Sequence, residues 1–123
     1  MQSIPKTRGQ QAEHLAARFL IAQQFEIVAH QFHSRFGEID LIARDPAQHL
    51  LIFAEVRYRR HTQFGTAEET ITKSKQQKLL KTALFFLLEN PHYKKYHQRF
   101  DVLAMNGTLT ETFNWIQGAF SFF

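Results

Sequence analysis

Two apolar, β-prone stretches carry acidic residues where the interior of a strand would exclude them: Gly37-Glu38-Ile39-Asp40-Leu41-Ile42-Ala43 and Leu50-Leu51-Ile52-Phe53-Ala54-Glu55-Val56-Arg57. An ionised carboxylate inside such a strand forfeits its hydration, which costs free energy unless the group is paired or bound to a metal. Side chains alternate along a strand, so Glu38, Asp40 and Ile42 are expected on one face and Ile39, Leu41 and Ala43 on the other. Leu51, Phe53, Glu55 and Arg57 likewise share a face. A four-residue turn at Asp45-Pro46-Ala47-Gln48 would pair Arg44 with His49, Asp40 with Phe53 and Glu38 with Glu55. Glu38, Asp40, Glu55 and Arg57 then project from one face, with Asp40 diagonal to Glu55 and both within reach of one ion. A slip of one residue would send the two sets to opposite faces.

The remaining chain frames this hairpin. Ala12, Leu15, Ala16, Phe19 and Ala22 recur at helical spacing, so an amphipathic helix is expected over 9–23. Glu13 interrupts its apolar side, because its helical neighbours are Ala16, Ala17 and Leu20. Two readings stand: a packed stem whose head reaches water, or a third carboxylate aimed at Asp40 and Glu55. A first strand is expected over 25–32, with a turn over 33–37. His30 and His33 fall on opposite sides of it without a cysteine nearby, which speaks against zinc. The polar, basic run 58–66 reads as a loop beside the site, and Arg59 and Arg60 there could hold phosphates. A second helix is expected over 68–89, with Leu80, Ala83, Leu84 and Leu87 as its core stripe and Lys75, Lys78 and Lys81 elsewhere; Asn90-Pro91 stops it. Phe85 and Leu88 lie toward the lysine side, against another element or a partner chain. A strand over 99–105, a turn at Asn106-Gly107 and a shorter strand over 110–115 complete the chain. Arg99 and Asp101 share a face there and are expected to pair structurally. Phe120, Phe122 and Phe123 either dock on the body or make an oligomer contact, such as a homodimer.

A chain of 123 residues with 44% hydrophobic content can form one domain, 1–123, with its own core. It has no cysteine, hence neither disulfides nor thiolate metal sites. No apolar leader or spanning run is present, so a soluble cytoplasmic protein that does not engage a membrane is the expectation. The net charge of +4 is unevenly spread: residues 1–72 hold eight Lys/Arg against eight Asp/Glu, and residues 73–123 hold seven against three. Such a basic C-terminal half suits a polyanion, although a solvated helix face explains it equally well.

An acidic strand residue followed by Glu55-Val56-Arg57 resembles the metal-binding signature of the PD-(D/E)xK nucleases. The order of Gly9-Gln10-Gln11-Ala12-Glu13-His14-Leu15-Ala16-Ala17, Gly37 to Ala43, Phe53 to Arg57, Phe64-Gly65, Lys75 and Arg99-Phe100-Asp101-Val102 is similar to the YraN-like family of bacterial proteins. That family is assigned to the restriction-endonuclease-like fold and is close in pattern to archaeal Holliday-junction resolvases. The resemblance runs from about residue 8 to 120. It implies a three-layer α/β fold with a mixed central sheet flanked by helices. It also implies a metal-dependent endonuclease acting on structured DNA, with Mg²⁺ or Mn²⁺ on Asp40 and Glu55, assisted by the Val56 carbonyl. Glu13 would be a direct or outer third acid, matching a helix-one Glu of the resolvases. Lys75 matches the family's lysine at the start of the second helix, and with Lys78, Arg59 and Arg60 would grip phosphates. Arg57 stands where the superfamily motif has lysine; a guanidinium stays charged, so it can clamp a phosphate but cannot readily deprotonate water. Two alternatives remain: a nucleic-acid-binding module that cleaves nothing, and an interaction protein in which Asp40, Glu55 and Arg57 form a buried ion-pair network.

Overall fold

The computed structural model describes residues 7–69 and 71–121. In chain order it contains helix α1 (Arg8–Ala22), strands β1 (Glu26–Ser34), β2 (Gly37–Asp45) and β3 (Leu50–Arg59), helix α2 (Lys73–Glu89), a 3-10 turn (Pro91–Lys95), and strands β4 (His97–Asn106) and β5 (Asn114–Phe120). The strands form one sheet in the order β1-β2-β3-β4-β5. Only β3 and β4 run parallel, as a crossover through a helix requires, and the other three neighbouring pairs are antiparallel. Ala16, Ala17 and Leu20 of α1 pack on one face with Leu41, Ala43, Ile52 and Leu103. Leu79, Ala83, Phe86 and Leu87 of α2 pack on the other with Ile42, Leu51, Phe53 and Phe100. This is the expected three-layer restriction-endonuclease-like arrangement.

Several boundaries depart from the sequence reading, each for a local reason. α2 begins at Lys73 rather than at residue 68, because the Thr72 side chain accepts the Lys75 N–H and caps the helix. Glu68 is drawn away instead, its carboxylate receiving the side-chain amides of Asn106 and Asn114. The buried stripe of α2 is Leu79, Thr82, Ala83, Phe86 and Leu87, whereas Leu84 and Leu88 are exposed. Phe85 is partly covered by Phe32, their rings 6.2 Å apart. In α1 the buried stripe is Ala12, Ala16, Ala17 and Leu20, with Ala22 exposed. β1 runs on to Ser34, and β3 continues through Tyr58 and Arg59, shortening the expected loop. β5 spans Asn114–Phe120 instead of 110–115, since Thr110 and Thr112 close a turn through the Thr110 hydroxyl. Phe120 docks on the body, stacked on Phe100 with ring centroids 4.7 Å apart; Phe122 and Phe123 lie outside the described residues.

The hairpin register is corrected by two residues. Leu41 pairs with Ala54, Ile42 with Phe53, Ala43 with Ile52 and Arg44 with Leu51. Asp45 stays in β2, where its carboxylate accepts the Ala47 N–H and the Gln48 amide, so the loop is Pro46–His49. A shift of two keeps the facing of the paired residues, and the ladder ends at Leu41 and Ala54, so Asp40 and Glu55 lie just beyond the last pair instead of diagonal within it. Alternation itself fails once: Ile39 packs in the α2-side cluster with Ile42, not with Leu41 and Ala43. The break lies beside Asp40, across from Gln31, whose backbone takes a left-handed φ of 45°.

Candidate functional site

β2 and β3 part at Asp40. Beyond the Leu41–Ala54 pair, the Val56 N–H donates to Asp40 Oδ2 at 2.8 Å, so a carboxylate replaces a backbone acceptor. The opening leads into a cleft of about 570 Å³, bounded by the start of α1 (Thr7, Gly9, Gln10, Ala12, Glu13), by Asp40, by Glu55 through Arg59, and by Lys75. The capping box at Thr7 fixes the α1 wall, Thr7 Oγ1 accepting the Gln10 N–H while the Gln10 side chain accepts the Thr7 N–H.

Three acids meet here. Glu13 hydrogen-bonds Asp40 through its side chain, and Gln31 Nε2 donates to Glu13 Oε2 at 2.9 Å. Asp40 and Glu55 are both buried, each 8% exposed. Burial, then the hydrogen bond to Asp40 and its charge, push Glu13 up to about 7. Burial likewise raises Glu55 to about 7, with the charge of Asp40 adding to it and Lys75 and Arg57 opposing. Lys75 Nζ lies 3.0 Å from Glu55 Oε1. These acidic side chains offer only oxygen donors, which suits Mg²⁺ or Mn²⁺, a hard cation that takes one or two carboxylates and keeps several waters. Among the described residues no group of three or more His, Cys, Asp or Glu side chains is placed to hold a metal ion together, so a cation here would rest on two carboxylates and water.

Of the residues singled out from the sequence, Glu13, Asp40, Glu55, Arg57, Arg59 and Lys75 line this one cleft. Lys78 does not; it lines an adjoining cavity of about 270 Å³ with Glu38, Thr72 and Ser74, and the two spaces share Glu55 and Lys75 as a common wall. Arg60 is exposed and lines neither. Glu38 turns outward to His33, 3.2 Å away. Gln31 and Tyr58 escape the sequence reading. Gln31 orients Glu13 from an exposed strand position without any local motif. Tyr58 ties the end of β3 to the β4–β5 turn through its hydroxyl, which donates to the Gly107 carbonyl at 2.6 Å. Arg99 and Asp101 form the expected pair, bidentate at 2.8 Å for both bonds, and neither lines this cleft although Asp101 pairs in register with Ala54.

Among the described residues no helix is long and apolar enough to cross a membrane. Comparison with known proteins finds close similarity over nearly the whole chain. A protein from Francisella tularensis subsp. novicida described as "UPF0102 protein" is 47% identical over 113 residues, spanning 91% of this chain and 92% of that one. Proteins of the same description from Alcanivorax borkumensis and Saccharophagus degradans are each 41% identical, over 94% and 92% of this chain and 92% of their own lengths. The sequence profile of the family described as "Uncharacterised protein family UPF0102" matches residues 12–105. The chain therefore belongs to the uncharacterised protein family UPF0102.

Proposed function

We propose that this protein is a metal-dependent endonuclease, resolvase-like in type, acting on structured DNA. The observation that carries the reading is the convergence of Glu13, Asp40 and Glu55 with Arg57, Arg59 and Lys75 in one open cleft. Asp40 and Glu55 would hold Mg²⁺ or Mn²⁺, with the Val56 carbonyl as a further oxygen and Glu13 as the outer acid. The bound cation supplies charge neutralisation on the phosphate and activation of the attacking water. Arg57 and Arg59 bind phosphate oxygens and align the backbone across the acids; Arg60 and Lys78 extend that grip beyond the cleft. Arg57 does not take a proton from water, since a guanidinium remains charged.

That same substitution of arginine for the motif's lysine favours a second reading, a DNA-binding module that retains the site without cleaving. Labelled four-way junction and linear duplex, each incubated with Mn²⁺, separate the two. Nuclease action predicts junction cleavage by wild type, lowered about a hundredfold or more in Asp40→Asn and Glu55→Gln. Salt-sensitive binding without cleavage would select the module; equal cleavage by all three proteins would remove Asp40 and Glu55 from the chemistry.

A further inference from the structure

Lys75 occupies an unusual place: its ammonium pairs with a carboxylate that is itself a candidate cation ligand, and both residues form the wall between two cavities. The Lys75 side chain is 44% exposed while that of Glu55 is 9% exposed, so the acid is held by the sheet and the base is free to move on a flexible stem. On the far side of this wall the smaller cavity, roomy enough for a phosphate group, is lined by Lys78, Thr72 and Ser74 and also by Glu38, whose carboxylate is itself paired with His33 at 3.2 Å. Lys75 and Lys78 lie three apart on α2, so their side chains share one flank of the helix.

We propose that Lys75 is a tethered counter-cation which a divalent metal displaces from Glu55, and that the released ammonium joins Lys78 to bind a nucleic-acid phosphate in the smaller cavity. This rests on the metal-site reading above and adds its regulation. The physical basis is exclusion: an ammonium hydrogen-bonded to Glu55 Oε1 and a divalent ion drawn to the same buried carboxylate repel each other at close range. Each cation therefore opposes the other's hold on Glu55. Two ammonium groups side by side also repel, which a phosphate between them relieves. Metal binding and phosphate binding in the second cavity become positively coupled, and by linkage the coupling is reciprocal. The device would keep the second phosphate site weak until the cation is in place.

The test is calorimetric titration of Mn²⁺ into wild type, Lys75→Met and Lys78→Gln, followed by anisotropy of a short labelled DNA duplex with and without Ca²⁺. Displacement predicts Mn²⁺ affinity about fivefold or more tighter in Lys75→Met and within about twofold of wild type in Lys78→Gln, since an added ammonium neighbour acts only after release. It further predicts that Lys75→Met weakens DNA binding only when Ca²⁺ is present, whereas Lys78→Gln weakens it under both conditions. Unchanged or weaker Mn²⁺ binding in Lys75→Met would overturn the proposal while leaving the metal site standing, as would a DNA defect independent of metal. Failure of wild type and Lys75→Met alike to bind Mn²⁺ would overturn the metal-site reading with it. Near-ultraviolet circular dichroism of each variant, unchanged from wild type, establishes that these differences do not come from misfolding.

Discussion

Asp40 takes the Val56 N–H on its Oδ2 and shares a hydrogen bond with Glu13, so one short side chain both ends a strand ladder and gathers acids that repel one another. The cost falls on its neighbours. Glu13 and Glu55 are each pushed from 4.5 up to about 7, by burial foremost. A folded state that raises a carboxyl's pKa holds a proton more tightly than the unfolded chain does. The stabilisation from these two groups is therefore whole below about pH 4.5 and is lost as pH rises through about 7. Glu13→Gln keeps an acceptor for Gln31 and a donor for Asp40 while removing the charge. It is expected to raise unfolding free energy at pH 8 by about 1 kcal/mol, after allowance for solvent screening, with the gain shrinking toward pH 5. Urea unfolding of both proteins at the two pH values checks this. A loss of stability at pH 8 would mean that the Glu13 charge is compensated rather than strained.

At the level of elements, β5 is held to β4 by a buried acid as much as by its ladder. Asp101 is 1% exposed and accepts from Arg99 twice, from Trp115 Nε1 at 2.8 Å and from the Gly118 N–H at 3.0 Å. These bonds bridge the irregularity between Phe100 and Val102, where the β4–β5 register shifts. Asp101→Asn would set an amide N–H₂ against donors and remove the charge facing Arg99, so a loss of roughly 3 kcal/mol is expected. Trp115 is the chain's only tryptophan and packs edge-on to Phe19 and Phe25. Its fluorescence should shift in native buffer if β5 loosens, and an unshifted spectrum with full stability would refute this role. The Arg99–Asp101 pair is legible in the sequence because two opposite charges sit two apart on a strand. The placement of acids on β2 and β3 is legible for a related reason, charge against an apolar background. What escapes is polar burial that satisfies itself. Thr82 is fully buried because its hydroxyl reaches the Lys78 carbonyl and the Ser34 hydroxyl, so an apolar-only stripe places the core of α2 one position away. Asp45 escapes similarly: beside Pro46 it reads as a turn residue, yet its two bonds to Ala47 and Gln48 lengthen β2 and move the register by two.

Over the whole molecule, the issue is whether a polyanion would meet a general positive field or a local one. The excess of basic residues lies after residue 72, with one group, Lys73, Lys75, Lys78 and Lys81, in the first half of α2, a second, Lys94 and Lys95, past its end, and Arg99 on β4, where Asp101 pairs with it. Lys75 and Lys78 stand at the helix's first turns, beside the acids. Lys94 and Lys95 stand in the 3-10 turn beyond its other end, separated from Lys75 by about 21 Å and from Lys78 by about 16 Å of helix. At physiological ionic strength the screening length is about 8 Å, so each group acts nearly alone. Two double variants, Lys75→Gln with Lys78→Gln and Lys94→Gln with Lys95→Gln, remove the same positive charge from opposite ends. If DNA lies across the cleft, the first pair alone weakens binding in the presence of Ca²⁺. It should also reduce the magnitude of the slope of log affinity against log salt by about 2, one for each phosphate that is no longer neutralised. The second pair should leave both affinity and slope close to wild type. Equal effects from the two variants would mean that DNA responds to net charge rather than to the cleft, and no endonuclease role for Asp40 and Glu55 could then be argued from the lysines beside them.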